Sequence, residues 1–356
     1  MKVLLLSRYT REGASSRLRT MQYLDQLARM DITVEVAPFF GDDYLDGIYA
    51  ERRRTKGIVR RFGDRISLLL RKSQYDAIWL EYEALPFLPW WFERLLLPSG
   101  VPLISDYDDA AFHRYDMSHN PLVRGFLGRK IDHVMAASTI VVAGNEYLAD
   151  RARTAGAQRI EIIPTVLDTQ AYRTGNPTPS GKPIIGWIGS PSTWTEYAAP
   201  MMPLLSSVAS TEAAMIRAVG AADGVVGSDT LEILPWAEAT EVAAIQSMHI
   251  GIMPLDDSPW ARGKCGYKLI QYMACGLPVV ASPVGVNADI VEHGVNGFLA
   301  TTEQEWRDAL TTLLRDPALR QRMGAAGRRK VEAEYSLAVW GPRVAALFRD
   351  VAKARG

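Results

Sequence analysis

Cysteine is nearly missing: only Cys265 and Cys275 occur in 356 residues. Two are too few for a disulfide framework or a cysteine zinc site, so a reducing, cytoplasmic setting is expected. Net charge is missing too, since 40 basic residues cancel 40 acidic ones. Without a basic surplus the chain is not built for general binding to nucleic-acid phosphates, and no nucleic-acid partner is expected. No apolar run approaches the ~20 residues needed to cross a bilayer. The opening run from Met1 is broken at Ser7 and Arg8, too early for a signal peptide, and reads as a buried strand. Short repeats and low-complexity tracts are absent. What is present is the composition of a packed globular protein, 48% hydrophobic and 22% charged. Its length suits two domains of about 150 residues each.

Short apolar runs alternate with longer helical patterns. Strands are expected at Val3–Leu6, Thr33–Pro38, Ala77–Glu81, Pro102–Ser105, Ile140–Ala143 and Ile160–Ile163, with one amphipathic helix over Arg17–Met30. Residues 173–183 hold three prolines and two glycines and read as a linker. The pattern then restarts, with strands at Ile184–Ile188, Met215–Val219, Ile250–Met253 and Pro278–Ala281 and an amphipathic tail over Leu337–Ala354. Apolar runs separated by helices predict parallel sheets covered on both faces. The expected fold class is therefore α/β, with two Rossmann-like domains facing a cleft. The expected boundaries are 1–166, a linker at 167–183, 184–336, and a helix at 337–356 returning toward the first domain.

Residues 262–287 carry the densest chemistry. A glycine-containing entry leads into a mostly apolar helix, which Gly276 ends at its C-terminal cap before a new strand. Lys264, Lys268 and Gln271 fall on one stripe of a 3.6-residue period. Long cations on an otherwise buried helix call for an anionic partner. Arg262 and the free N–H groups of the helix start add to a seat for a diphosphate. The alternative is that both lysines run their stems along the surface to solvent.

The stretch Met273-Ala274-Cys275-Gly276-Leu277-Pro278-Val279-Val280-Ala281-Ser282, then Val284-Gly285 and Glu292-His293-Gly294-Val295-Asn296-Gly297-Phe298, resembles the C-terminal half of family 4 glycosyltransferases. The resemblance extends to Asp76-Ala77-Ile78, Ile163-Pro164 and Ile184 to Gly189. It implies the GT-B fold, transfer with retention of anomeric configuration, a nucleoside diphosphate sugar as donor, and no metal or other cofactor. Two departures stand out. The family's paired glutamates would fall at Gly263 and Gln271, and neither is acidic. The resemblance implies that Gln271 meets the donor ribose through its amide, while Gly263 cannot meet the sugar. The usual arginine and lysine after the first strand of the second domain are replaced by Gly189-Ser190-Pro191-Ser192-Thr193. In that loop Gly189, Ser190 and Ser192 either cradle phosphate or form an ordinary capped turn. Val284, Gly285 and Asn287 line the donor side by the same resemblance.

In the first domain, Gly13, Ser15, Ser16 and Arg17 form a small-residue turn at a helix start that lets a substrate approach the backbone. The family resemblance implies a place beside the acceptor or the donor phosphates, and a plain N-cap at Ser15 or Ser16 is the alternative. Asp106, Asp108 and Asp109 cluster at a strand's C-terminal end, where open α/β sheets bind ligands. Asp106-Tyr107-Asp108 mimics a metal-binding D-x-D pattern, but the two-domain layout argues against a metal role. Asp108 stands where many family members place a histidine, so Asp108, with Asp109, is the catalytic candidate: it would orient the acceptor hydroxyl, take its proton, or stabilise a cationic sugar. Alternatively, Asp109 caps the next helix and Asp106 pairs with an arginine. His113 and Asn145 are further acceptor-side candidates, with Asn145 equally able to cap a helix over 146–155.

Residues 51–72 carry nine cations, Arg52, Arg53, Arg54, Lys56, Arg60, Arg61, Arg65, Arg71 and Lys72, against Glu51 and Asp64. Apolar residues recur there at helical spacing, and Leu85 to Phe92 adds aromatics. Both fit peripheral contact with an anionic membrane surface, or a solvated basic helix beside core aromatics. The resulting expectation is a hexosyltransferase acting on a glycan or lipid-linked acceptor in cell-envelope or exopolysaccharide assembly, at the inner membrane face. A nucleotide-sugar epimerase of the same fold and a non-catalytic nucleotide-sugar-binding partner are the alternatives.

Overall fold

The computed structural model describes residues 1–42, 44, 57–70, 74–175 and 181–353. The chain divides into two compact units: Met1–Thr165 with Gly263–Cys265 and Ala338–Gly356, and Val166–Arg262 with Gly266–Leu337. Lys264, expected in the later unit, thus belongs to the first.

The first unit is built on β1 (Lys2–Leu6), β2 (Thr33–Val36), β3 (Ala77–Glu81), β4 (Leu103–Tyr107), β5 (Ile140–Ala143) and β6 (Ile160–Ile162), all parallel in the order β2-β1-β3-β4-β5-β6. Every residue of β3, β4 and β5 is buried, which is why β3 up to Glu81 and β5 are apolar without alternation. Its helices include α1 (Ala14–Arg19), α2 (Leu24–Arg29), α3 (Ile58–Leu70), α4 (Trp90–Leu96), α5 (His113–Asp116), α6 (Pro121–Leu127), α7 (Lys130–Ala137) and α8 (Glu146–Ala155). The single helix expected over Arg17–Met30 is in fact α1, a 3₁₀ turn at Met21–Tyr23 and α2. The break lies at Thr20, whose backbone leaves the helical region at φ −123° while its hydroxyl bonds back to the Ser16 carbonyl at 2.8 Å.

The second unit repeats the plan with β7 (Ile184–Ile188), β8 (Met215–Val219), β9 (Leu231–Leu234), β10 (Ile250–Met253), β11 (Val279–Ala281) and β12 (Gly297–Leu299), in the order β12-β11-β10-β7-β8-β9. The sequence pattern did not signal β9 and β12. Both are edge strands, partly exposed, and β12 has only three residues, so neither shows a buried apolar run. The helices here include α9 (Glu238–Gln246), α10 (Tyr267–Ala274), α11 (Asn287–Ile290) and α12 (Pro317–Glu334). A last helix, α13 (Leu337–Lys353), lies with the first unit from Ala338 onward.

In each sheet the strand order reverses once, between β1 and β3 in the first and between β7 and β10 in the second. The crevice outside the carboxyl ends of such strands is where open α/β sheets take ligands.

Candidate functional site

In the first unit the chain leaves β1 and turns at Gly13, the N-cap of α1. A Cβ on Gly13 would lie 2.4 Å from that of Tyr9, so only glycine allows so tight a return. Neither serine caps the helix. Ser16 is buried and donates to Glu81 Oε2 at 2.6 Å while accepting from the Tyr9 N–H at 3.0 Å. Ser15 Oγ stands 3.3 Å from Glu81 Oε1, 3.2 Å from the Tyr82 hydroxyl and 3.2 Å from Asp108 Oδ2. The Tyr82 hydroxyl also donates to Asp108 Oδ1. Ser15 and Asp108 are thereby gathered at the β1/β3 reversal, with two groups the sequence reading passed over, Glu81 and Tyr82. Tyr82 sits at φ +61°, a strained setting for a side chain of its size. Burial, reinforced by the Asp108 charge, pushes the Glu81 carboxyl up to about 7. Burial also pushes the Tyr82 phenol up, so it remains a proton donor. The one signal available was a glutamate closing an otherwise apolar strand.

Other acceptor-side candidates are committed elsewhere. Arg17 is buried and bonds the Arg11 carbonyl at 3.2 Å. His113 meets Asp116 and the Tyr147 hydroxyl, both at 2.8 Å. Asn145 caps α8 through the Leu148 N–H at 3.0 Å and gives its amide to the carbonyls of Gly263 and Lys264, each at 3.0 Å. Asp106 pairs with Arg19 at 2.6 Å and takes the Trp79 indole N–H at 3.0 Å, which makes it a buried anchor. Asp109 is half-buried and caps no helix, because α5 starts from Phe112 with no side-chain cap. Gly263 abuts Ala110, where a Cβ would lie 2.5 Å from Ala110 Cβ, so no glutamate fits there.

In the second unit, Gly189 ends β7. Any Cβ there would meet the Trp187 ring at 2.6 Å. Ser190 and Thr193 form a reciprocal capping box, and Ser190 Oγ lies 3.1 Å from Ser192 Oγ. The Lys268 ammonium lies 5.1 Å over the same Trp187 ring. Gly189 and Lys268 thus converge on one indole at the β7/β10 reversal, beside the N-terminus of α10, whose N-cap Gly266 has φ +65°. The expected three-residue stripe shortens to Lys268 and Gln271, since Lys264 precedes the helix. Gln271 is buried, and its amide donates to Glu241 Oε1 at 2.8 Å and the Tyr172 hydroxyl at 3.0 Å. Arg262 is exposed and held by Asp257 through two bonds of 2.6 and 2.9 Å. Val284 is buried, and Gly285 turns at φ +53° against the Arg262 carbonyl. Asn287 is buried and gives its amide N–H to the Ser282 carbonyl at 3.1 Å, leaving Oδ1 without a partner.

Of the basic tract, Arg52, Arg53, Arg54, Lys56, Arg71 and Lys72 lie outside the described residues. Arg60 is exposed and Arg61 half-buried. Arg65 is no solvated cation: it is buried and donates to the carbonyls of Ser7 at 3.2 Å and Ala37 at 2.8 Å. Among the described residues no helix is long and apolar enough to cross a membrane, and no group of three His, Cys, Asp or Glu could hold a metal ion.

Residues 193–316 match the family model described as glycosyl transferases group 1. The human alpha-1,3/1,6-mannosyltransferase ALG2 is 32% identical over 89 residues, 25% of this chain and 18% of that protein. The D-inositol 3-phosphate glycosyltransferase of Pseudarthrobacter chlorophenolicus is 34% identical over 101 residues, 28% of this chain and 23% of that protein. The matches thus span about a fifth of these curated relatives. Anabaena HepE in complex with UDP-glucose superposes with a TM-score of 0.73 at 16% identity, covering 98% of this chain and 100% of that one. Residues 193–316 are thus similar to the group 1 glycosyl transferases, and the two parallel six-stranded sheets give the chain the two-Rossmann-domain GT-B fold.

Proposed function

We propose that the chain is a retaining glycosyltransferase, moving a hexose-type sugar from a nucleoside diphosphate to a glycan or lipid-linked glycan in cell-envelope or exopolysaccharide assembly. The observation that carries this reading is the meeting of Lys268, the Gly189–Ser190 turn and the α10 N-terminus at the β7/β10 reversal. A departing diphosphate gathers negative charge, and an ammonium beside free helix N–H groups stabilises it where it forms. Arg262 adds a cation by exchanging Asp257 for phosphate. This reading assigns the charge of the leaving group to protein cations and calls for no metal. HepE, solved with UDP-glucose, makes that sugar nucleotide the first donor to try.

The first unit receives the acceptor. Asp108, half-buried and bonded to Ser15 and Tyr82, orients the acceptor hydroxyl and draws on its proton, while the leaving phosphate takes the proton as the bond forms. Work at the inner membrane face is part of the same reading. Val59, Trp91 and Leu95 are exposed on α3 and α4 beside Arg60 and Arg94, an interfacial mix of apolar and cationic side chains. A binding-only role is the second reading, favoured by the enclosure of Gly263 and the commitment of the Gln271 amide.

Titration with UDP, GDP and their hexose derivatives, without added metal, tests the donor site. Lys268→Ala should weaken nucleotide binding about tenfold or more and lower transfer with it. Unchanged affinity and turnover in that variant would remove the donor site from the reading. Tight nucleotide binding with neither transfer nor donor hydrolysis across an acceptor panel would favour the binding-only role.

A further inference from the structure

A groove of about 580 Å³ opens in the first unit between α4 and α7. Its floor is Ile78 and Leu103, which lie toward the N-terminal ends of β3 and β4. Asp108 follows the other end of β4, so the groove is separate from the candidate acceptor site. Trp90 and Leu97 line it from α4 and its last turn, and Ala136 from α7. Its volume falls within the range of small-molecule sites.

Two basic side chains line this apolar groove, Arg94 and His133. Among the described residues neither side chain has a hydrogen-bond or ion-pair partner. Elsewhere in the same unit cations are matched closely: Arg19 to Asp106, Lys130 to Glu83 and Glu93, and Arg151 to Asp116 and Asp132. Among the described residues no carboxylate lines the groove. The Arg94 guanidinium presents a planar fork suited to phosphate oxygens, and an imidazole N–H donates in either protonation state. Apolar walls with unmatched donors at the rim suit a ligand that is hydrocarbon along its length and anionic at one end. A nucleotide would leave its base edges unread against Ile78, Leu103 and Leu97, and a peptide backbone would meet hydrocarbon in place of hydrogen-bond partners.

We propose that this groove binds a single-chain lipid phosphate, its chain along Ile78, Leu103 and Trp90 and its head on Arg94 and His133. The site stands apart from the transfer chemistry proposed above. It rests on that reading only for the source of the lipid: α4 also carries Trp91 at 64% and Leu95 at 75% exposure, which would set the groove beside a bilayer.

Isothermal titration of the full chain with dodecyl phosphate, below the concentration at which it forms micelles, tests the proposal. Saturable binding at one site is expected. Arg94→Ala should weaken it about tenfold, and Ala136→Phe, placing a ring into the groove from an exposed position, should abolish it. Dodecanol and inorganic phosphate, each holding half of the recognised chemistry, should bind far more weakly. Thermal unfolding and nucleotide affinity should stay unchanged in both variants, and Lys268→Ala should bind dodecyl phosphate normally, so failure of the donor site and failure of the groove are separable. Equal affinity for dodecanol, or wild-type binding by both groove variants, overturns the proposal.

Discussion

Glu81 closes a wholly buried strand, yet its carboxylate faces Ser15, Ser16 and, across Ser15, Asp108. Burial, with the Asp108 charge beside it, disfavours the ionised form of Glu81. The Glu81 value rises from 4.5 in the unfolded chain to about 7 in the fold. Between those values the folded chain holds a proton that the unfolded chain has released. Stability therefore falls as pH rises through this window, by about 3 kcal/mol in all. Glu81→Gln should flatten that slope, read as urea unfolding free energies at pH 5 and pH 8; an unaltered slope would show that Glu81 ionises normally. Asp108→Asn probes the chemistry directly. It keeps the shape of the Tyr82 contact but removes the charge, and should lower transfer about a hundredfold or more while leaving nucleotide affinity intact. Equal loss of both would mean Asp108 supports the fold and not the reaction.

Elements were legible where a strand is central in its sheet and mostly apolar, and blurred at the sheet edges. Ala77–Glu81, Ile140–Ala143, Ile184–Ile188, Met215–Val219 and Ile250–Met253 have the bounds the sequence suggests, because each is an apolar run flanked by helical spacing. Two edge strands escaped notice, since an edge strand has one neighbour and tolerates polar side chains. The broken helix over residues 14–29 turns on a single threonine bonding its own backbone, a choice periodicity cannot register. At the site, glycines and the Lys268 position were readable, because close approach and helix phase are local properties. The engagement of Gln271 by Glu241 and Tyr172 was not, as those partners lie 30 and 99 residues away. Neither was the Glu81–Ser15–Asp108 grouping, which the sheet order assembles from three strand ends.

The same distinction applies to helix packing. Gly324 of α12 reads as a weakness in a helix, but a Cβ there would lie 1.8 Å from the Gly276 carbonyl oxygen. Gly327, one turn on, faces Met273 of α10 at 2.8 Å. The two helices therefore touch through glycine, and α10 is the helix that carries Lys268. Gly324→Ala should destabilise the second unit by about 1–3 kcal/mol despite its better helix propensity, with weaker nucleotide binding as α10 shifts. A stabilised variant in thermal unfolding would refute that close contact.

At the scale of the whole molecule, the first unit is completed by residues that come last in the chain. From Ala338 onward α13 lies with Met1–Thr165, separated from them by nearly the entire second unit. Val344, Ala345, Leu347, Phe348 and Val351 are buried. Phe348 meets the Trp79 ring edge-on at 5.1 Å, and Arg349 donates to the Met30 carbonyl at 2.7 Å. Trp79 in turn holds Asp106, so this contact reaches β3 and β4, the strands that carry Glu81 and lead to Asp108. Burying a large apolar side chain contributes about 1.5–3 kcal/mol, and a domain's net stability is only about 5–15 kcal/mol. Ending the chain at Leu337 should therefore unfold the first unit and leave the second folded, seen as loss of the earlier of two unfolding transitions with nucleotide binding retained. Phe348→Ala is the milder test: about 3–5 kcal/mol lost from the first unit alone. If both transitions persist unchanged after the truncation, the first unit does not depend on α13, and the long return of the chain has a purpose other than stability.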